Sequence, residues 1–288
     1  MDTTSLIGKE LAAAINADTK QRAAALTEQG AAPRLALVIP NDDPASAWYV
    51  KSLNRAAERN GIACENVDLG VDATAEEIRA KLTELSQDPS VDAIMLQTPL
   101  PKGVGLDDVS SAIAAEKDVD GVSPLSLGLL AAGRAGRGGA AGFPPATSEA
   151  VVELAKFHQV PLAGRHVAVV GRSNVVGKPL LQLLLAENAT VTIAHSRTTD
   201  LPAVTSAADV VVAAVGRAGL ITADHVREGA VVIDVGTNED ENGNITGDVN
   251  AASVTGKAAA LSPVPGGVGP VTTALLMRHV VQAAENGR

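Results

Sequence analysis

The sequence has a single cysteine, no excess of basic residues and no long apolar run, and each absence narrows what the protein can be. Cys64 has no partner for a disulfide within the chain, which favours a reducing compartment. The formal net charge of -10 argues against nucleic acid or an anionic membrane as the main partner. No apolar segment approaches the ~20 residues of a membrane-spanning helix, and the first residues lack the pattern of a signal peptide. We therefore expect a cytoplasmic protein.

Two kinds of catalytic centre also lack support. The histidines show no metal-ligand spacing and the cysteine stands alone, so no metal site is predicted. The sequence has no Gly-x-Ser-x-Gly turn that would expose a nucleophilic serine. Aromatic residues are scarce as well, at 1% of the chain, so the neighbouring Trp48 and Tyr49 are conspicuous. Both could fill a core, an alternative that we consider plausible for Trp48 and weaker for Tyr49.

Short apolar runs alternate with helical patterns along the 288 residues, which is typical of parallel βαβ units. The predicted fold class is α/β, with an N-terminal α/β domain, a C-terminal Rossmann-type doubly wound parallel sheet and a cleft between them. Strands are predicted at 35–39, 65–69, 93–97, 167–170, 190–194, 210–215 and 231–235. Helices are predicted at 5–29, 45–60, 74–87, 105–115, 176–187 and 271–286.

The composition changes at 131–142, where Ala, Gly and Arg dominate without an apolar period. We interpret this segment as a linker or surface loop near a domain boundary. The predicted domains are 1–142 together with the C-terminal helix 271–288, and 143–270.

The segment from Gly171 to Gly177 follows a predicted strand and opens a predicted helix. Glycines there let the backbone approach phosphate oxygens, and a helix N-terminus offers unpaired N–H groups. The spacing is not the standard Gly-x-Gly-x-x-Gly, and an ordinary strand-to-helix turn uses the same residues. The next strand ends in Ser196-Arg197, where an NAD site carries an acid. Together with Arg172 in the turn, this predicts NADP, although two solvated arginines are the alternative.

Proline- and glycine-rich stretches follow several strands, where they are typical of the walls of a ligand cleft, although tight turns use the same residues. These stretches and other short motifs are Asp43-Pro44-Ala45-Ser46 with Tyr49-Val50, Gln97-Thr98-Pro99-Leu100-Pro101, Lys117-Asp118-Val119-Asp120-Gly121, Gly171-Arg172-Ser173 with Gly177 and Pro179, Asp234-Val235-Gly236, Gly247-Asp248-Val249, and the run from Pro263 to Pro270. Over nearly the full length, they resemble the bifunctional methylenetetrahydrofolate dehydrogenase/cyclohydrolase family.

The resemblance implies a homodimeric enzyme of one-carbon folate metabolism, which feeds purine biosynthesis. It also implies a folate cleft between two domains and a final helix that packs on the first domain. It implies NADP-dependent oxidation of methylenetetrahydrofolate and hydrolysis of the methenyl product. Tyr49 would stack on the aminobenzoate ring, Asp120 would hydrogen-bond the pterin, and Gln97 would position a catalytic lysine. The remaining implied contacts are Pro265 and Gly266 for the substrate and Gly171, Arg172, Ser173, Gly177, Ser196, Arg197 and Thr237 for NADP.

The chain departs from the family at the lysine, which should stand four residues after Tyr49, where this sequence has Leu53. In a helix, position i+4 lies about 40° from position i, whereas Lys51 at i+2 lies about 200° away. Arg55 also misses the position. Because hydrolysis needs proton transfer and hydride transfer mainly needs positioning, we expect a weak or absent cyclohydrolase and a surviving dehydrogenase.

Smaller departures are Val122-Ser123-Pro124, in place of an aromatic residue and histidine before proline, and Pro145-Ala146-Thr147-Ser148, in place of Pro-Cys-Thr-Pro. Two alternatives remain open: an NADP dehydrogenase for another small substrate, and a catalytically silent protein that binds folate and NADP.

Overall fold

The computed structural model describes residues 2–135, 142–240 and 243–287, apart from the Ala45 side chain. The chain divides into two compact units, and the predicted α/β class is confirmed. We call them the three-stranded unit, residues 13–146 and 273–288, and the six-stranded unit, residues 1–12 and 147–272. The described elements in chain order are β1 (Thr4–Ser5), α1 (Lys9–Glu28), β2 (Arg34–Ile39), α2 (Pro44–Arg59), β3 (Ala63–Asp68), α3 (Ala75–Gln87), β4 (Ala93–Leu96), α4 (Leu106–Val109), α5 (Pro124–Ala131), α6 (Ala146–Phe157), β5 (His166–Val170), α7 (Gly177–Ala186), β6 (Thr190–Ala194), α8 (Leu201–Thr205), β7 (Val210–Ala213), β8 (Val231–Asp234), β9 (Asn238–Glu239), β10 (Ile245–Thr246), α9 (Ala251–Val254), β11 (Ala260–Leu261) and α10 (Val268–Asn286).

The three-stranded unit is built on a parallel sheet in the order β3-β2-β4. Leu35 and Leu37 of the central strand are fully buried in its core, as continuous apolar strands between helices should be. The last helix adds Leu276, Met277 and Val280 to the same apolar cluster. The segment after α4 extends this sheet edge, because Ile94 N donates to Lys117 O at 2.7 Å.

The six-stranded unit carries a parallel sheet in the order β1-β11-β8-β7-β5-β6. Its core strands are short valine- and alanine-rich runs, such as Val210–Ala213, in which every residue is buried. A separate antiparallel pair joins β9 and β10. The order β7-β5-β6, with α7 between β5 and β6, is the doubly wound arrangement of a Rossmann-type sheet.

The structure corrects the sequence expectations at several places. Residues 4–5 form a strand that pairs with β11, so the first helix begins at Lys9 and not at residue 5. Residues 2–12 therefore belong to the six-stranded unit, whereas the sequence predicts them in the first domain. The helix expected at 105–115 shortens to α4 and a 3₁₀ turn at Ser110–Ala112. The expected linker at 131–142 begins where α5 ends, and its residues 136–141 lie outside the described residues.

Candidate functional site

The turn after β5 in the six-stranded unit can be built only with glycine. Gly171 has φ +133°, and a Cβ there would lie 2.1 Å from Ala214 O. Its backbone N donates to Ala194 O at 2.8 Å, which ties the turn to the end of β6. Gly177, the first residue of α7, is equally constrained, because its Cβ would lie 2.1 Å from Gly171 O. The backbone therefore folds closely around the N-terminus of α7 with no side chain in the way.

Side-chain hydroxyls hold this turn in shape. Ser173 Oγ accepts from Val176 N at 3.0 Å. The buried Ser148, on α6, donates through its hydroxyl to the carbonyl oxygens of Val175 and Val176 at 3.1 and 3.0 Å. Such a fixed turn before a helix N-terminus offers unpaired N–H groups and partial positive charge to an anion.

An exposed basic rim lies beside the turn. Arg172 follows β5 and Arg197 follows β6, and these strands are paired in parallel with Val170 opposite Ala194. Both arginines are exposed, as are Ser173 and Ser196. The turn after β6 is fixed by two bonds: His195 N donates to Thr198 Oγ1 at 2.8 Å, and Arg197 N donates to His195 Nδ1 at 3.1 Å. The structure thus brings four of the predicted phosphate-contacting residues to one edge of the sheet.

Thr237 lies farther along the same edge, exposed after β8. Two strands of the sheet order, β7 and β5, separate β8 from β6. The structure therefore does not join Thr237 to the arginine rim directly.

Two buried carboxylates fix the loops that follow β7 and β8, a feature that sequence reasoning missed. Asp248 is fully buried and accepts from Val215 N at 2.6 Å, Gly216 N at 3.0 Å and Arg217 N at 2.7 Å. Asp234 accepts from Gly236 N at 2.9 Å, Asp248 N at 3.0 Å and Val249 N at 2.9 Å. Burial raises the pKa of Asp234 to about 6, against the lowering effect of these bonds.

Pro265 and Gly266 lie in the segment that leads from β11 to α10. Gly266 has φ +109°, and its carbonyl accepts from Gly8 N at 2.9 Å. Gly267 N donates to Pro263 O at 2.8 Å. Pro265 is exposed. The segment is therefore a closed turn that presents Pro265 outward.

In the three-stranded unit, α2 carries the two rare aromatic residues in different surroundings. The helix starts after Asp43, whose carboxylate accepts from Ser46 N at 2.7 Å. Tyr49 is half-buried against the apolar cluster, whereas Trp48 is 69% exposed. The alternative that Trp48 fills the core is therefore wrong, because its side chain is exposed on α2.

Leu53 belongs to the apolar core. It is 0% exposed and packs in the cluster that contains Val50, Leu35 and Leu37. Lys51 and Arg55 are exposed on α2. The helix geometry therefore leaves neither cation on the face of Leu53.

Gln97, which follows β4, is only 6% exposed. Its Nε2 donates to Thr98 O at 2.9 Å, while its Oε1 is buried without a hydrogen-bond partner among the described residues. An unsatisfied buried acceptor costs about 1–3 kcal/mol, so this oxygen is a ready acceptor for a donor brought by a ligand or a side chain.

Asp120 lies in a cluster of titratable groups in the three-stranded unit. Burial raises its pKa to about 7, helped by the nearby Asp118 and opposed by His279 and by a bond from Ala146 N. Burial also raises the pKa of Tyr49, to which the charge of Asp120 contributes. The structure thus brings Tyr49 and Asp120 together, and it adds His279, which no local sequence signal indicated. A carboxyl whose pKa lies near neutrality can give or take a proton.

Within 2–135, 142–240 and 243–287, no three His, Cys, Asp or Glu side chains are grouped to hold a metal ion. In the same described ranges, no helix is long and apolar enough to cross a membrane.

The glycine turn, the helix N-terminus and the basic rim define the six-stranded unit as a dinucleotide-binding unit of the Rossmann type. Comparison with known proteins agrees. A family model described as "tetrahydrofolate dehydrogenase/cyclohydrolase, NAD(P)-binding domain" matches residues 145–288, and the catalytic-domain model of the same family matches residues 6–120.

Relatives resemble the chain over its full length. The bifunctional protein FolD of Nocardia farcinica is 77% identical over 288 residues, which are 100% of both chains. A crystal structure of the bifunctional enzyme FolD, methylenetetrahydrofolate dehydrogenase/cyclohydrolase, from Campylobacter jejuni has 38% identity and a TM-score of 0.93, covering 99% of both chains. A Trypanosoma brucei methylenetetrahydrofolate dehydrogenase-cyclohydrolase, solved with NADP cofactor and an inhibitor, has 32% identity and a TM-score of 0.91, covering 99% of this chain and 98% of its own. The chain belongs to the tetrahydrofolate dehydrogenase/cyclohydrolase family.

Proposed function

We propose that the protein is an NADP-dependent methylenetetrahydrofolate dehydrogenase of one-carbon folate metabolism whose cyclohydrolase activity is weak or absent. Membership of the family supports the dehydrogenase activity. The loss of cyclohydrolase activity is inferred from Leu53, which is completely buried at the position where the resemblance expects a lysine.

NADP fits the six-stranded unit. When bound, this cofactor supplies the acceptor for the hydride. Gly171 and Gly177 allow the backbone to approach its phosphates, and Ser173 holds the turn. Arg172, Ser196 and Arg197 form the rim that selects the extra phosphate of NADP over NAD. Thr237 is assigned a contact farther along the same cofactor.

The three-stranded unit is assigned to folate. Tyr49 stacks on the aminobenzoate ring, and Asp120 hydrogen-bonds the pterin. Because the pKa of Asp120 is raised to about 7, it is partly protonated near neutral pH and both donates and accepts there. Pro265 and Gly266 are also assigned to the substrate. All these roles are transferred residue by residue from the family motifs.

Hydride transfer and hydrolysis make different demands on this site. Hydride transfer needs two carbons held in register, which a stacking tyrosine and a hydrogen-bonding carboxyl provide. Hydrolysis needs a water activated and a proton delivered. A positioned acid or base typically contributes ~10²–10⁴-fold to such a step. The Leu53 side chain has no proton to exchange, and the Gln97 oxygen that would orient an amine has no donor among the described residues.

The same proposal covers the setting of the enzyme. We expect a homodimer, as the resemblance implies, and a cytoplasmic location, which the net charge of -10 and the lone Cys64 support. Light scattering on the purified protein tests the dimer: a mass near twice 29.1 kDa is expected, and a mass near 29.1 kDa would contradict it.

The activity is tested with methylenetetrahydrofolate and either NADP or NAD. We expect NADPH to form with the folate substrate, and NAD to be the poorer acceptor. Turnover of NADP only with other small alcohols or acids would instead identify a dehydrogenase for another substrate. Binding of both ligands without any NADPH would identify a silent binding protein.

A further inference from the structure

The loop after β7 wraps three consecutive backbone N–H groups around one buried carboxylate. Asp248 Oδ2 accepts from Val215 N at 2.6 Å and from Gly216 N at 3.0 Å. Its Oδ1 accepts from Arg217 N at 2.7 Å. Gly216 has φ +63°, the left-handed conformation that turns neighbouring N–H groups toward one side. Such a concave group of donors commonly binds a phosphate in proteins, but here an internal carboxylate occupies it and fixes the course of the loop.

The carboxylates of Asp248 and Asp234 hold the loop after β8 on both sides of Thr237. Asp248 Oδ1 accepts from Asn238 Nδ2 at 2.9 Å. Asp234 Oδ1 accepts from Gly236 N at 2.9 Å and also from Asp248 N at 3.0 Å. Thr237 itself is exposed. The residue that is assigned a cofactor contact therefore lies between two residues that are held by buried carboxylates.

These two carboxylates have no room to move. Asp248 is 0% exposed and Asp234 is 3% exposed. A Cβ on Gly236 would collide with the Asp248 carboxylate. A Cβ on Gly247 would collide with the Asp234 carboxylate, so the backbone lies directly against both groups. The loops after β7 and β8 are therefore joined through one close-packed, buried connection.

The loop that Asp248 holds borders the place where a doubly wound sheet binds its ligand. In such sheets the ligand lies outside the carboxyl ends of the strands, where the strand order reverses. The chain passes from β5 to β6 on one side and returns to β7 on the other side of β5, so the order reverses between β5 and β7. At this point Ala214 N donates to Val170 O at 2.8 Å, and Ala214 O fills the space that a Cβ on Gly171 would need. The 215–217 loop and the glycine turn are therefore neighbours across the reversal point.

We propose that Asp248 is a positioning residue for the dinucleotide: its carboxylate holds the 215–217 loop and Thr237 where they form one wall of the cofactor site. This role rests on the proposed function for the identity of the cofactor and for the contact at Thr237. Asp248 is buried, so it acts through the two loops. The arginine rim that is assigned to the extra phosphate of NADP follows β5 and β6, whereas these loops follow β7 and β8. Asp248 should therefore affect the binding of NADP and NAD alike.

The test compares the wild type with Asp248→Asn, Arg197→Ala and Leu154→Ala as full-length proteins, at a temperature at which all four are folded. Calorimetry gives the dissociation constants for NADP and NAD, and initial rates give kcat and the KM values. Asp248→Asn keeps the size of the side chain but leaves one acceptor oxygen for four donors. We expect it to weaken the binding of NADP and of NAD by the same factor, about tenfold, and to leave the KM for methylenetetrahydrofolate nearly unchanged.

Two control variants separate loop positioning from the arginine rim and from stability. Arg197→Ala should weaken the binding of NADP and leave that of NAD nearly unchanged. Leu154 lies on α6 and is 0% exposed, so Leu154→Ala leaves a cavity in the same unit and should lower the melting temperature, as Asp248→Asn does. Because Leu154 lies outside both loops, its variant should bind both dinucleotides as the wild type does. If Asp248→Asn does not fold, Asn238→Ala, which removes only the bond to the loop after β8, should weaken both dinucleotides by a smaller common factor.

Equal affinities in Asp248→Asn and the wild type, a loss for NADP alone, or an equal loss in Leu154→Ala would overturn the positioning role. In the Asn238→Ala series, unchanged affinities would do the same. A wild type that binds NADP but does not oxidise methylenetetrahydrofolate contradicts the proposed function, whereas the affinities still decide the role of Asp248. A wild type that binds neither dinucleotide overturns both.

Discussion

Restoring the amine at position 53 is the most informative perturbation of this site. In Leu53→Lys, the lysine replaces a leucine that is 0% exposed and lies in the apolar cluster with Val50, Leu35 and Leu37. Burial of an unpaired charge is costly, and loss of the leucine packing adds to the cost. The resemblance assigns Gln97 to position an amine at this place, and the Gln97 Oε1 has no hydrogen-bond partner among the described residues. The Asp120 carboxyl acts on Tyr49, which lies one turn earlier on α2.

The expected loss of stability follows from the buried charge and the lost leucine packing. Core substitutions of this kind cost about 2–5 kcal/mol, and for proteins of this size each kcal/mol lowers the melting temperature by about 2–4 °C. We therefore expect Leu53→Lys to melt about 4–20 °C lower than the wild type. An apolar site also lowers the pKa of a lysine, which brings its proton exchange toward neutral pH. Hydrolysis of methenyltetrahydrofolate should then rise by ~10²–10⁴-fold.

The assay follows the loss of methenyl absorbance with purified protein at fixed pH, below the melting temperature of the variant. Leu53→Met is the matched control: it conserves volume, should cost less than about 1.5 kcal/mol, and should gain no hydrolysis. Wild-type hydrolysis by a folded Leu53→Lys protein would contradict the proposed effect of the missing amine, as would a gain of the same size in Leu53→Met.

Other predictions concern the cofactor turn, its rim and the buried carboxylates. Gly171→Ala should destabilise the six-stranded unit and weaken NADP binding, since its Cβ would lie 2.1 Å from Ala214 O; calorimetry that shows unchanged NADP affinity would contradict this. Arg197→Ala should raise the KM for NADP by about tenfold and leave the KM for NAD nearly unchanged, as initial rates with both cofactors would show. Asp248→Asn should lower the free energy of unfolding by about 2–4 kcal/mol in denaturant titrations, because an amide oxygen cannot replace both carboxylate oxygens as acceptors for Val215, Gly216 and Arg217. The pKa of Asp120 is raised to about 7 in the folded protein, so the stability that its bound proton contributes is fully present below about pH 4 and is lost as pH rises through about 7. Over that range, the free energy of unfolding of the wild type should fall by at most about 4 kcal/mol relative to Asp120→Asn, as denaturant titrations at several pH values would show.

Much of the fold follows from local sequence signals. Continuous apolar runs mark β2, β4 and β5 closely, because parallel strands covered by helices are buried on both faces. The end of α2 near Gly61 and the start of α7 at Gly177 are predicted by glycines that adopt special conformations or close approaches. The glycine turn between β5 and α7 is also local, since its residues are consecutive.

What the sequence left out depends on distant contacts. The strands β1 and β11 have two residues each, and β1 exists because it pairs with β11 from the other end of the chain, while β11 also pairs with β8. The core position of Leu53 and the surface position of Trp48 depend on which face of α2 meets the sheet. His279 gave no signal, because its partner Val119 is 160 residues away. The Asp234–Asp248 network was visible only as two separate family motifs.

The most direct test of the account is the fate of the methenyl product in a single cuvette. With limiting methylenetetrahydrofolate and excess NADP, NADPH and methenyltetrahydrofolate are followed separately at their own wavelengths. We predict that the two rise together in equal amounts, and that the methenyl compound then decays no faster than it does in buffer without protein. Formation of NADPH with methenyltetrahydrofolate consumed as fast as it appears would contradict the account, because the chain would then hydrolyse without the lysine.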